Sequence, residues 1–225
     1  MRVRVSGRVR LHGCQPASSQ GVQAARRRRE RSPDEDERTH GEEARIDDGC
    51  FAGRPGGASR QVRRRGWGLP PEDPDLKARK LDWLRDAGLH LMGRATYEEM
   101  ARFWPVSDDE YAAPMNDIPK VVFSKTLTEA DWAQSTIASG DLADEISALK
   151  REPGKDMIAW GGAAFAQSLS RLHLVDEYRL VVQPVALGDG LPLFAGLTAP
   201  FVLDLIEARA YADGAVLHVY RPAAE

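Results

Sequence analysis

The chain has 225 residues, and its 31 Lys and Arg against 34 Asp and Glu give a formal net charge of −3 at pH 7. This length fits one domain with an extension or two small domains, and the charge argues against a generally basic nucleic-acid-binding protein. No apolar run approaches the length of a membrane span. Two cysteines can form at most one disulfide, which is little for a disulfide-stabilised protein, so we expect a reducing, cytoplasmic environment.

The first 65 residues differ in composition from the rest of the chain. They hold 16 of the 25 arginines and no lysine, with a net charge of +7, whereas residues 66–225 carry −10. We therefore predict an Arg-rich, disordered or mis-translated segment at 1–65 and one folded domain at 66–225. The run Arg26–Arg29 also fits a nucleic-acid-binding arm. Because no aromatic residue lies among these arginines to stack on bases, we expect no nucleic-acid partner.

Beyond residue 66, short apolar runs typical of strands alternate with helical patterns. The predicted strands are Leu89–Met92, Val121–Phe123, Ser135–Ala138, Met157–Trp160 and Tyr178–Leu187. A helical pattern follows the first, third and fourth of these strands. The turn Asp213-Gly214 then joins two runs that read as a hairpin. This order predicts an α/β fold with a three-layer, mostly parallel sheet and an antiparallel C-terminal hairpin.

The residues that directly follow the predicted strands are small, hydroxylic or cationic. In parallel sheets, ligands bind at the carboxyl ends of the strands, where these residues lie. Glycine lets the backbone approach a phosphate, and the first turn of a following helix attracts anions. The pattern favours an extended, phosphorylated ligand, although each group alone also fits an ordinary structural turn. The groups are Gly93-Arg94, Ser124-Lys125-Thr126, Gly161-Gly162-Ala163 and Gly188-Asp189-Gly190.

Residues 67–221 resemble the dihydrofolate reductase superfamily, and most closely the C-terminal reductase domain of the riboflavin-biosynthesis deaminase-reductase. Taken together the matching motifs are specific to the superfamily, but they do not single out one substrate. They are Gly93-Arg94-Ala95-Thr96-Tyr97, Ser124-Lys125-Thr126-Leu127, Trp160-Gly161-Gly162, Leu174-Val175-Asp176-Glu177-Tyr178 and Leu187-Gly188-Asp189-Gly190-Leu191-Pro192-Leu193-Phe194.

The resemblance implies an NADPH-dependent reductase that transfers a hydride to a pyrimidine or pteridine-like small molecule. It places Gly93, Arg94 and Thr96 on cofactor phosphates. It places Ser124-Lys125-Thr126 near the adenosine 2′-phosphate, and Gly161-Gly162-Ala163 around the pyrophosphate. It also suggests a homodimer. No metal is expected, because His90, His173 and His218 show no metal-ligand spacing.

One acidic residue is the candidate polar partner for the substrate. Trp67-Gly68-Leu69-Pro70-Pro71-Glu72 resembles the stretch of dihydrofolate reductases whose carboxylate binds the pterin, which makes Glu72 the catalytic candidate. An equally good interpretation is a proline-rich lead-in whose acidic residues favour the start of a helix near Asp75. Asp176 and Glu177 are interpreted as surface charges.

The first strand of the superfamily has no clear counterpart in this sequence. Family members open with a central strand and a Ser-Leu-Asp-Gly-like turn, which residues 46–57 and Met1–Gly13 echo only in distorted form. We therefore expect the sheet to lack a regular central strand, which would expose backbone groups on both neighbours. This expectation motivates an alternative function, a non-catalytic nucleotide-binding relative of the reductases.

Overall fold

An eight-stranded sheet forms the centre of the computed structural model, which describes residues 9–17, 50–51, 70–160, 162–186 and 191–224. The strands are β1 Val9–Ala17, β2 Cys50–Phe51, β3 Ala87–Gly93, β4 Lys120–Phe123, β5 Ser135–Ala138, β6 Asp156–Trp160, β7 Glu177–Ala186, β8 Leu191–Pro192, β9 Leu203–Ala210 and β10 Val216–Pro222. The helices are α1 Pro74–Arg85, α2 Arg94–Phe103, α3 Ala112–Asp117, α4 Leu142–Arg151 and α5 Ala163–Arg171, with a 3-10 turn at Trp104–Val106.

The strand order in the sheet is β5-β4-β3-β6-β1-β7-β10-β9. The first six strands pair in parallel, and β10 pairs antiparallel with both β7 and β9. The hairpin between β9 and β10 turns at Gly214, whose φ of 82° suits glycine. The predicted mostly parallel sheet with an antiparallel C-terminal hairpin is therefore confirmed.

The central position of the sheet is occupied by β1, between β6 and β7. Val9 pairs with Met157 of β6, and Leu11 pairs with Tyr178 of β7, both in parallel register. The expectation that the sheet lacks a regular central strand is thus wrong. The sequence did not identify β1 because its partner strands lie more than 140 residues further along the chain. Strand β1 lies within the segment 1–65 that we predicted to be disordered or mis-translated, so that prediction does not hold for Val9–Ala17. For the rest of the segment the boundary near residue 65 stays a prediction, and the Arg26–Arg29 run lies outside the described residues.

Helices cover both faces of the sheet, which gives the expected three layers. Successive residues of a strand point to opposite faces. Leu91 packs with Ile146 of α4 and Leu169 of α5, whereas Met92 packs with Tyr97 of α2 and Met115 of α3. The strand ends of the sheet are consequently flanked by helices on either side.

The amino ends of the central strands carry a buried ion network, so Glu177 is not the surface charge that we expected. Its side chain is 5% exposed and lies 2.6 Å from Arg179 Nε and 2.9 Å from Arg221 Nη2. Nearby, Arg10 pairs with Asp156. Several partners share the charge of Glu177, which offsets the cost of burying it. This network lies at the end of the sheet opposite the predicted ligand edge.

Asp176 also has a structural role beside β1. Its carboxylate accepts a 2.8 Å hydrogen bond from the backbone N–H of Val9 and pairs with Lys150 at 2.7 Å. It thereby helps to fix the start of the central strand. Among the described helices, none has the length and apolar character needed to cross a membrane.

Candidate functional site

The predicted ligand residues meet at the carboxyl ends of three adjacent strands. Gly93 at the end of β3 pairs with Phe123 at the end of β4, and Met92 pairs with Trp160 at the end of β6. Ser124, Arg94 and Gly162 therefore follow neighbouring strands along one edge of the sheet. The structure brings together these three groups, whereas Gly161 and the Gly188-Asp189-Gly190 turn lie outside the described residues.

The two helices that start at this edge have uncapped N-termini. Helix α2 begins after Gly93 and α5 begins after Gly162, and neither glycine supplies a side chain to cap the first turn. In contrast, Asp73 caps α1 and Asp141 caps α4 through side-chain oxygens that accept two backbone N–H groups each. The first N–H groups of α2 and α5, including that of Ala163, are thus available to an anion.

A side chain at either of the two glycines would make a tight contact. A Cβ atom added to Gly162 would come within 3.0 Å of Thr96 Oγ1, and one added to Gly93 would come within 3.2 Å of Phe165 Cβ. Both contacts join α2 or its leading strand to α5. The starts of the two helices are therefore in close contact, and the missing side chains leave their backbones open to a ligand.

Two cations lie beside these helix starts. Arg94 is the first residue of α2, and its guanidinium is 3.8 Å from Glu98 Oε1 with both side chains largely exposed. An exposed pair at this distance is weak and easily exchanged for a phosphate. Lys125 and Thr126 are exposed beyond β4. The edge thus combines glycine backbones, helix N-termini and positive charge, as a site for a phosphorylated ligand requires.

Ser124 also stabilises the turn in which it lies. Its Oγ accepts hydrogen bonds from the backbone N–H of Leu127 at 2.9 Å and of Thr126 at 3.2 Å. Its own N–H donates to the carbonyl of Ala138 on the next strand, at 3.0 Å. A hydroxyl that accepts two bonds retains its own hydrogen to donate. Ser124 therefore holds the turn that presents Lys125, and it keeps one donor for a ligand.

A buried histidine–tryptophan pair, which sequence reasoning missed, links β3 and β6 beneath the site. Trp160 Nε1 donates to His90 Nδ1 at 2.9 Å, and His90 Nε2 lies 3.2 Å from the carbonyl oxygen of Pro114. Burial, together with the charge of Lys120, lowers the pKa of His90 to about 4. The imidazole is thus neutral, with its Nε2–H donated to Pro114. The only sequence signal was a His and a Trp on two predicted strands, whose adjacency the sequence did not predict.

A second buried group anchors the segment that follows Ser124-Lys125-Thr126. The N–H of Trp132 donates to Tyr97 Oη at 3.0 Å, and its Nε1 donates to Asn116 Oδ1 at 2.8 Å. Lys120 Nζ lies 4.5 Å from the centre of the indole and donates to three backbone carbonyls. Burial lowers the pKa of Lys120 to about 8. Tyr97 thereby ties α2 to the same segment that presents Lys125.

The candidate catalytic residue Glu72 has two partners in the structure. Its Oε1 pairs with the buried Lys80, and its Oε2 accepts a hydrogen bond from Tyr111 Oη at 3.0 Å. The neighbouring Asp73 caps α1, accepting from the N–H groups of Asp75 and Leu76. The helix-start interpretation is thus correct for Asp73. The substrate-binding role of Glu72 stays a prediction.

The described residues contain no group of three or more His, Cys, Asp and Glu side chains that could hold a metal ion. The donors collected at the carboxyl edge are backbone N–H groups, a hydroxyl and cations. Such donors suit an anionic organic ligand better than a divalent cation.

Comparison with known proteins places this geometry in context. The family model of the RibD C-terminal domain matches residues 48–217, which is more than half of the chain. YyaP of Bacillus subtilis (strain 168), an uncharacterized protein, is 33% identical over 153 residues, covering 66% of this chain and 80% of that protein. YwjB of the same organism, also uncharacterized, is 27% identical over 140 residues, covering 62% of this chain and 77% of that protein.

Solved structures share the fold at low sequence identity. A protein from Shewanella sp. PV-4, described as a riboflavin biosynthesis protein, matches with a TM-score of 0.65 and 18% identity over 96% of this chain and 99% of its own. A pyrimidine reductase-like protein of Corynebacterium diphtheriae matches with a TM-score of 0.56 and 14% identity, over 97% and 93%.

The deaminase/reductase of Thermotoga maritima matches with a TM-score of 0.55 and 12% identity. The match covers 96% of this chain but only 57% of that longer protein. These likenesses establish a dihydrofolate-reductase-like fold, as the sequence motifs implied. The family match together with this fold shows that the chain belongs to the RibD C-terminal domain family.

Proposed function

We propose that this chain is an NADPH-dependent reductase that acts on a pyrimidine or pteridine-like small molecule. The observation that carries the proposal is the pair of uncapped helix starts at Gly93 and Gly162, in contact through Thr96. Two such N-termini beside each other suit the two phosphates of a dinucleotide. Arg94 and Lys125 add the positive charge that a further phosphate would need.

The residues at the carboxyl edge fit this cofactor, because its glycines leave the backbone open where a Cβ would make a tight contact. Gly93, Arg94 and Thr96 would hold phosphates from α2, and Gly161, Gly162 and Ala163 would hold them from α5. Ser124, Lys125 and Thr126 would contact the adenosine 2′-phosphate. NADPH, when bound, supplies the hydride, and the protein supplies binding and orientation.

The substrate class rests on the family and on its named neighbours. One protein with this fold is described as pyrimidine reductase-like, and another is described as a 5-amino-6-(5-phosphoribosylamino)uracil reductase. Glu72 would offer its carboxylate to the ring of such a substrate. In the structure that carboxylate is held by Lys80 and Tyr111, which would fix its position.

Titration of the purified full chain with NADPH and with NADH tests the cofactor assignment. We expect saturable binding of NADPH, measured by the quenching of tryptophan fluorescence. The affinity for NADH should be at least about tenfold weaker. Equal affinity for the two would contradict the assignment of Lys125 and Ser124 to a 2′-phosphate. A second assay tests the reaction itself. Candidate pyrimidine and pteridine substrates are added, and oxidation of NADPH is measured as the loss of its absorbance.

The second candidate is a nucleotide-binding relative without catalysis. It is favoured by one observation, that both oxygens of Glu72 already have protein partners. It predicts tight NADPH binding and no cofactor oxidation with any of these substrates. The central position of β1 removes the other reason for this alternative, which was a defective sheet.

A further inference from the structure

A buried ammonium group at the start of β4 is surrounded by backbone oxygens. Lys120 is 1% exposed, and its Nζ donates to three carbonyl oxygens. These oxygens belong to Asn116 and Ile118, both at 2.8 Å, and to Ala133 at 3.1 Å. The ring of Trp132, whose centre is 4.5 Å from Nζ, adds a cation–π contact. Because three N–H donors meet three acceptors, no neutral side chain of this size could satisfy all three carbonyls.

The three carbonyls come from two different parts of the chain. Asn116 and Ile118 precede β4, whereas Ala133 lies beside Gln134, directly before β5. Gln134 has a φ of 59°, in the left-handed region that is unfavourable for residues other than glycine. Its carbonyl accepts from the backbone N–H of Lys120 at 2.8 Å. Lys120 therefore holds the chain before β5 against the start of β4, in a turn that the backbone alone disfavours.

Residues 124–134, which we call the β4–β5 segment, run between two fixed ends. The near end is fixed by Ser124, whose Oγ accepts from the N–H of Leu127 at 2.9 Å. The far end is fixed by the contacts of Lys120. Between these ends the segment borders an open cavity of about 360 Å³, which is lined by Leu127 and Trp132 and by residues of α2. The cavity leaves this side of the segment without close packing, so the position of the segment depends on its two ends.

The β4–β5 segment carries Lys125, the proposed ligand of the adenosine 2′-phosphate. Lys125 is exposed, and it makes no hydrogen bond or ion pair with any residue that the structure describes. The place of its ammonium therefore follows from the backbone of the segment. A charge-assisted hydrogen bond to a phosphate needs a donor–acceptor distance of about 2.8 Å. A displaced segment would thus exchange that bond for a weak interaction screened by water and salt.

We infer that Lys120 is a positioning residue that sets the preference of this protein for NADPH over NADH. Its ammonium fixes the far end of the β4–β5 segment, and it thereby fixes where Lys125 lies at the carboxyl edge. Lys120 itself is the first residue of β4, away from that edge, so it acts through the segment rather than on the ligand. The inference rests on the proposed function, because it takes Lys125 as the partner of the 2′-phosphate.

Isothermal titration of the full-length variant Lys120→Met with NADPH and with NADH tests this inference. Methionine fills much of the same space but offers no donor to the three carbonyls. We expect the dissociation constant for NADPH to rise at least about tenfold, and that for NADH to change less than about twofold. The matched control is Lys155→Met, because Lys155 Nζ also donates to a backbone carbonyl, that of Arg85 at 2.9 Å. This control should alter neither affinity.

Chemical rescue tests whether the missing cation is the cause. Lys120→Ala removes the side chain beyond Cβ, and propylammonium added during refolding supplies those atoms as a free ion. We expect propylammonium to restore most of the preference for NADPH, and 1-propanol, which is neutral and of similar length, to restore none of it. Restoration by both compounds or by neither would overturn the inference, because the charge would then not matter.

A second variant keeps the test decisive if substitutions of Lys120 impair folding. Trp132→Phe leaves Lys120 in place but removes the indole N–H that donates to Asn116 Oδ1 at 2.8 Å. The far end of the β4–β5 segment should loosen, and the ratio of the NADPH and NADH affinities should fall at least about threefold.

The outcomes separate this inference from the proposed function. A wild-type chain that prefers NADPH, with variants at Lys120 and Trp132 that keep the same preference, would overturn the inference and leave the proposed function standing. An equal loss of both affinities in Lys120→Met would also overturn it, since the role of Lys120 would then be structural only. A wild-type chain that does not distinguish the two cofactors would overturn the assignment of Lys125, and this inference with it.

Discussion

Trp160 Nε1 donates a 2.9 Å hydrogen bond to His90 Nδ1, and this bond joins β3 to β6 close to where both strands end at the candidate site. Both rings are buried, and the second nitrogen of His90 is satisfied by the carbonyl of Pro114. The pair needs a neutral imidazole, because a protonated Nδ1 could no longer accept from the indole.

The first prediction concerns stability below neutral pH. The pKa of His90 is lowered to about 4 in the folded chain, against 6.5 for an unperturbed histidine. As the pH falls, His90 therefore takes up a proton in the unfolded chain before it does so in the folded chain. The contribution of His90 to stability is complete above pH 6.5 and is lost as the pH falls towards 4. We expect this group to remove about 2 kcal/mol of unfolding free energy between pH 7.5 and pH 5.

Urea unfolding of the wild type and of His90→Asn at both pH values measures this effect. Asparagine can still accept from Trp160 Nε1 but does not titrate. The variant should be less stable at pH 7.5 and should lose less stability on acidification. An identical pH dependence in the two proteins would show that other groups cause the acid sensitivity.

The second prediction concerns the close contact of α2 and α5. Gly162→Ala places a Cβ atom 3.0 Å from Thr96 Oγ1 and fills the space beside the uncapped N–H groups. We expect the dissociation constant for NADPH to rise at least about tenfold, with a stability loss of about 1 kcal/mol. Fluorescence titration and thermal unfolding measure the two effects. Gly154→Ala is the matched control, because its added Cβ meets nothing within 4 Å.

The third prediction separates the 2′-phosphate from the rest of the cofactor. Lys125→Gln should weaken the affinity for NADPH about tenfold or more and leave the affinity for NADH unchanged, because only NADPH carries the charged 2′-phosphate. Isothermal titration with both cofactors measures the ratio. Lys155→Gln removes an exposed lysine near the start of β6, at the opposite end of the sheet, and should alter neither affinity. A parallel loss for both cofactors would place Lys125 on a shared phosphate instead.

The fourth prediction tests whether Glu72 compensates a buried charge. Glu72→Gln leaves Lys80, which is 7% exposed, without its ion partner, and should cost about 2 kcal/mol of unfolding free energy. Adding Lys80→Met removes the buried cation that has lost its ion partner, and it should recover most of the lost unfolding free energy. Urea unfolding of the two single variants and the double variant forms the complete cycle. Additive losses would mean that the pair does not interact.

The sequence predicted those parts of the fold whose signals are local. Strands β3, β4 and β6, the helices between them and the Asp213-Gly214 hairpin follow from apolar runs, periodicity and turn residues. The three groups at the carboxyl edge follow from strand order alone, since neighbouring parallel strands end side by side. The role of phosphate ligand that we propose for them depends on a molecule that the sequence does not contain.

The sequence did not reveal features that depend on distant pairings. Nothing local identifies Val9–Ala17 as a central strand, because its hydrogen bonds go to β6 and β7. Glu177 resembled a surface charge until Arg179 and Arg221 surrounded it. The bond between His90 and Trp160 likewise joins residues 70 positions apart.

The placement of β1 has a consequence for the order of folding during synthesis. Its neighbours begin at Asp156 and Glu177, so β1 leaves the ribosome long before either partner exists. Strands β3, β4 and β5 can pair earlier, because they follow one another along the chain. Contacts between distant segments form slowly, so insertion of β1 between β6 and β7 is expected to be a late step. Nascent chains that end before Asp156 should leave this strand open to proteolysis, whereas chains released beyond Ala186 should protect it.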